Sequence, residues 1–215
     1  METKTKSNVY PLVMTAMMAA VIAAVSPFSL PISVIPLSFC TLMLYVTPYI
    51  LGWRRGAVAA LVFILLGMVG VPVFTGFQGG LGKVLGPTGG YIAGYIPLVI
   101  VTGLAISFFP KSRVLQFLGM IAATAVLYTL GTAWFCLQSG AGLQTALEKC
   151  VFLFIPGDLI KMVAATAIGP VLRERLVKAG IHPEVSTRRD EKIRSGACAG
   201  PDFCYNRGEV FRIGA

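Results

Sequence analysis

The sequence predicts an all-α membrane protein, a bundle of six transmembrane helices with both termini in the cytoplasm. Three observations carry this prediction: long uncharged apolar runs, Gly/Pro-rich breaks between them, and Lys/Arg clusters in alternate connections. Of the 215 residues, 56% are hydrophobic and 13% are charged, whereas soluble domains carry about 25% charged residues. A soluble core of this length does not hide so much apolar surface from water, so lipid is the natural second solvent.

Apolar runs recur along the whole chain. A helix crosses a bilayer with roughly 20 apolar residues, and the predicted spans are 12–27, 37–52, 56–71, 90–109, 114–137 and 150–171. The breaks around 27–36 and 71–90 are rich in Gly and Pro, which predicts loops or re-entrant segments. Because similar runs follow it, the first run is interpreted as a retained span and not as a cleaved signal peptide.

Basic residues mark alternate connections between these spans. The marked connections carry Lys4 and Lys6, then Arg54 and Arg55, then Lys111 and Arg113, and finally Arg173, Arg175 and Lys178. Of the other connections, two carry a single lysine each (Lys83 and Lys149) and one carries none. The positive-inside rule then places the marked connections and both termini in the cytoplasm, as in a multi-pass protein of the plasma membrane.

Charge and cysteine usage exclude several classes of protein. The net charge of +9 comes from short clusters between apolar runs, whereas nucleic-acid binders spread basic residues over a soluble face. One histidine and no CxxC pair leave too few ligands for a structural zinc site, so neither a metal nor a cofactor is expected. Residues 179–215 are polar and are predicted to form a mostly disordered cytoplasmic tail after the membrane domain of residues 1–178.

The segment 154–161, FIPGDLIK, places two charges in the sixth apolar run. A charge at mid-membrane costs about 2.5–3.5 kcal/mol, so Asp158 and Lys161 require an explanation. At i, i+3 they share one helix face, which allows either a self-satisfied ion pair or a polar cluster that faces a buried ligand. The preceding Pro156-Gly157 favours the ligand, because proline suits the first turn of a helix that is predicted to begin there.

Residues 75–91, TGFQGGLGKVLGPTGGY, are unusually rich in glycine. Gly82-Lys83 is not a phosphate loop, because the required earlier glycine is missing and Val84 stands where Ser or Thr would bind magnesium. Glycine lets the backbone approach another backbone or a ligand closely. The spacing of Gly86, Gly90 and Gly94 by four suits helix packing. Polar and aromatic neighbours favour instead a loop that folds over a ligand: Gln78, Lys83, Thr88 and Tyr91.

Two further patterns leave alternatives open. Ala16, Ala20 and Ala24 form a stripe of small residues in the first span, which suits either internal packing or the docking of a partner subunit. Aromatic residues of the later spans either anchor the membrane interface or form the walls of a ligand pocket: Tyr91, Tyr95, Tyr128, Trp134 and Phe135.

Three motifs together resemble the BioY family, the biotin-binding S components of energy-coupling factor (ECF) transporters. They are Gly79-Gly-Leu-Gly82, Gly86-Pro-Thr-Gly-Gly-Tyr91 and Pro156-Gly-Asp-Leu-Ile-Lys161. The likeness covers roughly residues 10–178 and includes Tyr128-x-x-Gly131-x-x-Trp134. It implies a six-helix bundle that binds biotin on the extracytoplasmic side and works with a transmembrane coupling subunit and two cytoplasmic ATPases.

The resemblance also implies roles for particular residues. Asp158 and Lys161 are expected to contact biotin, and the alanine stripe is expected to meet the coupling subunit. The full set of expected ligand-binding residues is Asp158, Lys161, Lys83, Gln78, Gly86, Thr88, Tyr91 and Trp134. Whether Lys161 or Lys83 meets the carboxylate of biotin stays open at this point.

Alternative functions are an S component for another vitamin, such as thiamine or riboflavin, and an intramembrane enzyme or channel. The Gly-rich loop and the Asp/Lys pair favour biotin. Catalysis is not expected, because the membrane region has no histidine and its carboxylates are Glu148 and Asp158. A channel would need polar pore-lining residues on several spans, and these spans lack them. The chain has no nucleotide-binding motif, so an energising module has to be a separate protein.

Overall fold

The computed structural model describes residues 9–30, 37–110, 112–140, 154–178, 203–206 and 209–212. Its helices are α1 (Val9–Val25), α2 (Cys40–Val69), α3 (Leu81–Leu85), α4 (Gly89–Ala93), α5 (Tyr95–Phe108), α6 (Arg113–Ser139) and α7 (Ile155–Lys178). Two antiparallel strand pairs accompany them: β1 (Ser29–Leu30) with β2 (Leu37–Ser38), and β3 (Phe203–Asn206) with β4 (Glu209–Arg212).

The apolar runs are helical, as predicted. Lipid offers no hydrogen-bond partners to the backbone, so a spanning segment satisfies its own N–H and C=O groups by forming a helix. Four stretches are long and apolar enough to cross a membrane: Cys40–Val69, Gly89–Phe108, Arg113–Ser139 and Ile155–Leu176. The apolar part of the first helix, Pro11–Val25, is shorter.

α2 contains two of the predicted spans and folds back between them. Gly52 has φ 73° and ψ −179°, a backbone conformation that favours glycine and interrupts the helix. A Cβ atom on Gly56 would lie 3.5 Å from Cγ2 of Thr47 and 4.0 Å from Cα of Pro48. Residues eight or nine apart in a straight helix are about 12 Å apart. Residues 40–51 and 53–69 are therefore two arms of α2 that return along each other.

α2 lies at the centre of the bundle, where it packs against α1, α5 and α7. α6 packs against α4, α5 and α7 and closes the other side. Large side chains such as Tyr45, Phe63, Leu98 and Met120 are fully buried between these helices. Other apolar side chains, for example Val163 at 59% exposure, point outward, as expected of a helix whose surroundings are lipid.

The predicted breaks contain short elements. The 71–90 region holds α3. α4 leads into α5 through Gly94, whose φ of −65° and ψ of −13° are helical, so the predicted span 90–109 is one nearly continuous helical stretch. α7, the helix of the sixth predicted span, begins at Ile155, with Pro156 in its first turn as predicted. It continues through Pro170 and ends beyond the predicted end at 171.

Several sequence predictions fall on residues outside the described ranges. These are residues 31–36 of the first predicted break, residues 150–153 of the sixth predicted span, Lys4, Lys6, Lys111, Glu148 and Lys149, and most of the tail. Within the tail the backbone of β3 and β4 forms an antiparallel pair, which the prediction of disorder did not include.

Candidate functional site

The first turns of α7 bury two opposite charges. Asp158 is 3% exposed and Lys161 is 7% exposed. Their i, i+3 spacing brings Nζ of Lys161 to 2.9 Å from Oδ1 of Asp158, so the two form an ion pair on one face of the helix. This face points towards the first arm of α2 and towards α6.

Hydroxyl groups from those two helices complete the arrangement. Tyr128 of α6 donates its hydroxyl proton to Oδ2 of Asp158 at 2.6 Å. Nζ of Lys161 donates to Oγ1 of Thr41 at 2.9 Å, and that hydroxyl donates to Oδ1 of Asp158 at 3.4 Å. We call Asp158, Lys161, Thr41 and Tyr128 the charged cluster. Its two charges cancel, and three helices hold it in one geometry.

The charged cluster lines a cavity of about 400 Å³. Pockets for small ligands commonly enclose about 300–1,000 Å³ and combine apolar walls with a few placed polar groups. Aromatic side chains form much of the wall: Phe74, Tyr91, Tyr95, Tyr128, Phe135 and Phe154. The pair is satisfied within the protein and also lines a cavity, so the prediction that it faces a ligand stays open at this point.

Six of the eight predicted ligand-binding residues lie around this cavity. Asp158 and Lys161 are on one side, and the glycine-rich segment supplies the others: Gln78, Lys83, Thr88 and Tyr91. Gly86 and Trp134 do not line it. Instead, the indole N–H of Trp134 donates to the carbonyl oxygen of Gly86 at 3.0 Å.

Glycines join the Gly-rich segment to α6. A Cβ atom on Gly90 would collide with the side chain of Trp134, and one on Gly131 would collide with the ring of Tyr91. An aromatic side chain of α4 thus packs on a glycine of α6, and an aromatic side chain of α6 packs on a glycine of α4. The packing interpretation of this segment applies to Gly90 and Gly131, and the same segment also lies at the cavity wall, so its role as a ligand loop stays a prediction.

The sequence patterns did not single out Thr41, and they considered Tyr128 only as an anchor or a wall. Thr41, Tyr45 and Tyr49 occur every four residues on one face of α2. Tyr45 bonds Thr124 at 2.6 Å, and Tyr49 donates to Gln116 at 2.9 Å. Such a polar stripe on an apolar helix was the signal that could have identified Thr41.

The cavity lies at one end of α6 and α7, and the arginines Arg113 and Arg173 lie towards the other end. In α6, Arg113 is at the start and Tyr128 lies 15 residues later; in α7, Asp158 is near the start and Arg173 lies 15 residues later. At 1.5 Å per residue these separations are roughly 22 Å, most of the thickness of a hydrocarbon core.

The alanine stripe faces outward. Ala16, Ala20 and Ala24 are exposed, whereas Ala19 and Ile22 on the other face of α1 are buried. The stripe is therefore not used for packing among the described residues.

Comparisons of the sequence with known proteins identify relatives of one family, BioY. A family model described as the BioY family matches residues 1–178. The chain is 34% identical to the biotin transporter BioY of Rhizobium etli over 176 residues, which cover 74% of this chain and 90% of the relative. It is 30% identical to the biotin transporter BioY of Thermotoga maritima over 165 residues, 76% of this chain and 95% of the relative.

A solved structure agrees with these matches. The crystal structure of the S-component for biotin from an ECF-type ABC transporter superposes with a TM-score of 0.72 at 25% identity, over 80% of this chain and 94% of that chain. The family match covers residues 1–178, the whole of the helical bundle. The chain belongs to the BioY family.

Proposed function

We infer that this chain is the membrane-embedded S component that captures biotin for uptake by an ECF transporter. The observation that carries this inference is a buried, charge-neutral cluster opening onto a cavity of about 400 Å³ in a BioY-family bundle. The chain is a binding subunit and not an enzyme. Its Gly82-Lys83-Val84 sequence lacks the residues of a phosphate loop, so the ATPase activity belongs to other subunits.

The charged cluster suits the ureido ring of biotin. This ring carries two N–H donors beside one carbonyl acceptor and has no charge. Asp158 accepts three hydrogen bonds, which leaves about one acceptor site on a carboxylate, and Lys161 uses two of its three donors. The remaining acceptor site of Asp158 and the remaining donor of Lys161 match an N–H group and the adjacent carbonyl group of the ureido ring. The aromatic walls suit the apolar thioether ring.

Lys83 suits the carboxylate tail. Lys161 is already neutralised by Asp158, so a carboxylate there would bring a second negative charge to a balanced pair. Lys83 is the other cation among the described residues that line the cavity, and it has no ion-pair partner among them. The proposed orientation therefore places the ureido ring at α7 and the carboxylate at α3.

The proposed topology has six spans, with both termini in the cytoplasm of the cell. The fold-back at Gly52 supports counting the two arms of α2 as separate spans. Arg54, Arg113 and Arg173 lie at the helix ends opposite the cavity, so the positive-inside rule supports an extracytoplasmic cavity in the plasma membrane. The exposed alanine face of α1 supports docking of a transmembrane coupling subunit, whose ATPases supply the energy.

Calorimetry with purified protein tests this function. Biotin is expected to bind, and thiamine and riboflavin are expected not to bind. Asp158→Asn should lower biotin affinity by about tenfold, because hydrogen bonds to charged groups contribute about 1.5–3 kcal/mol. Arg113→Met, at the far end of α6, is the control and should bind normally. Absence of biotin binding by the unaltered protein would refute the assignment.

A further inference from the structure

α3 is a short helix whose C-terminal carbonyl groups need partners from elsewhere. It spans Leu81–Leu85 and carries Lys83 at its centre. The last four carbonyl groups of any helix lack intrahelical donors, and a helix of five residues consists almost entirely of such ends. Its position at the cavity wall therefore depends on contacts outside the helix.

α6 supplies two of those contacts from adjacent turns. The side-chain amide of Gln138 donates to the carbonyl oxygen of Leu85 at 2.6 Å, and the indole N–H of Trp134 donates to that of Gly86 at 3.0 Å. Trp134 and Gln138 are four residues apart, so they lie one above the other on the same face of α6. Together they cap the end of α3.

The indole also fixes the start of α4. A Cβ atom on Gly89 would lie 3.2 Å from Nε1 of Trp134, and one on Gly90 would collide with the base of the same side chain. The ring therefore rests on the backbone where α3 ends and α4 begins. Trp134 does not line the cavity, although Lys83 and Thr88 on either side of its contact point do.

We propose that Trp134 and Gln138 are positioning residues that hold α3 so that Lys83 meets the carboxylate of the ligand. This inference rests on the proposed function and deepens it, because it assigns the affinity for the charged tail to two α6 residues that do not line the cavity. Neither residue acts on the ureido end, which the charged cluster holds independently.

Two ligands separate this role from a general structural one. Biotin and biotin amide share the ureido and thioether rings, but the amide lacks the negative charge. Lys83→Met should lower the affinity for biotin by about tenfold and leave the amide unchanged. Gln138→Leu and Trp134→Phe remove one hydrogen bond each and should lower biotin affinity by about three- to tenfold, with the amide again unchanged.

Combining the substitutions tests whether the two residues act through Lys83. In a Lys83→Met background, Gln138→Leu should cause no further loss of biotin affinity, because the cation that it positions is gone. Thr129→Val is the matched control: Thr129 is exposed on the same helix and bonds only its own helix, at the carbonyl of Val126, so both affinities should stay unchanged.

Several outcomes would overturn the proposal. If the Trp134 and Gln138 variants lost affinity equally for biotin and its amide, the two residues would be general supports of the fold. The same would follow if their losses of biotin affinity added to the loss in Lys83→Met. An unchanged biotin affinity in Lys83→Met alone would also overturn it while leaving the biotin function intact. Since Gln138 is exposed, its variant should fold even if Trp134→Phe does not. If the unaltered protein bound neither ligand, the proposed function itself would fail.

Discussion

Removing one partner of the buried ion pair should destabilise the protein more than replacing both partners. Lys161→Met leaves a carboxylate at Asp158 that is 3% exposed in the unaltered protein. Among the described residues, its remaining side-chain partners are the hydroxyl groups of Thr41 at 3.4 Å and Tyr128 at 2.6 Å. Breaking a buried pair in this way costs about 3–5 kcal/mol. At about 2–4 °C per kcal/mol for a chain of this length, the midpoint of thermal unfolding should fall by about 6–20 °C.

The double variant Asp158→Asn/Lys161→Met provides the comparison. The new amide still accepts from Tyr128 and can donate to Thr41, and no charge remains buried, so the loss should shrink to about 1–2 kcal/mol. Thermal unfolding of both variants in the same detergent, with biotin absent, measures the difference. Arg113→Met, an exposed cation on α6, is the control and should shift stability by less than about 0.5 kcal/mol.

One result would refute this reasoning. If the double variant were as unstable as Lys161→Met alone, the damage would come from lost packing around the lysine stem and not from an unpaired carboxylate. Both variants are expected to bind biotin more weakly, so binding does not substitute for the stability measurement.

Three more substitutions, two of them paired with a control variant, test the fold and its surfaces. Gly131→Ala should destabilise the protein by about 1–3 kcal/mol, because a Cβ there collides with an aromatic ring, whereas Gly82→Ala meets open space and should be nearly neutral in the same thermal assay. Gly52→Ala should cost about 1–2 kcal/mol, because φ is 73° at the fold-back of α2; unchanged unfolding would contradict the importance of that turn. Ala20→Leu should abolish co-purification of the coupling subunit while biotin binding persists, whereas Met17→Leu, also exposed on α1, should leave both intact.

The sequence was sufficient to predict the helices, because the physics that makes them is local in sequence. Uncharged apolar runs have to form helices in lipid, and the Gly/Pro-rich breaks mark their ends. The turn at Gly52 is an instance: the predicted spans 37–52 and 56–71 stop on either side of it. What the pattern did not reveal is that the reversal needs no longer loop, because a single non-helical residue, Gly52, separates the two helical arms.

The site was predictable only where a residue is unusual in itself. Asp158 and Lys161 stand out because charges are rare in an apolar run, and both lie at the cavity. The polar stripe on α2 could have marked Thr41 as unusual, but it does not reveal the partners of this hydroxyl, which lie 117 and 120 positions away in the sequence. Trp134 was expected to touch the ligand; it does not line the cavity, and its indole N–H donates to the carbonyl oxygen of Gly86, a contact that depends on how α4 packs on α6.

The charged cluster is better explained by ligand recognition than by stability. A buried ion pair seldom stabilises a protein relative to apolar residues of the same size, because the cost of desolvation offsets the attraction between the charges. An apolar pair in place of Asp158 and Lys161 would pack this bundle in lipid at no such cost. The pair is neutral overall, is hydrogen-bonded to Thr41 and Tyr128, and lies at a cavity. These properties suit an uncharged ring that needs a donor and an acceptor side by side. The double variant separates the two roles, since it should keep most of the stability of the protein and lose affinity for the ligand.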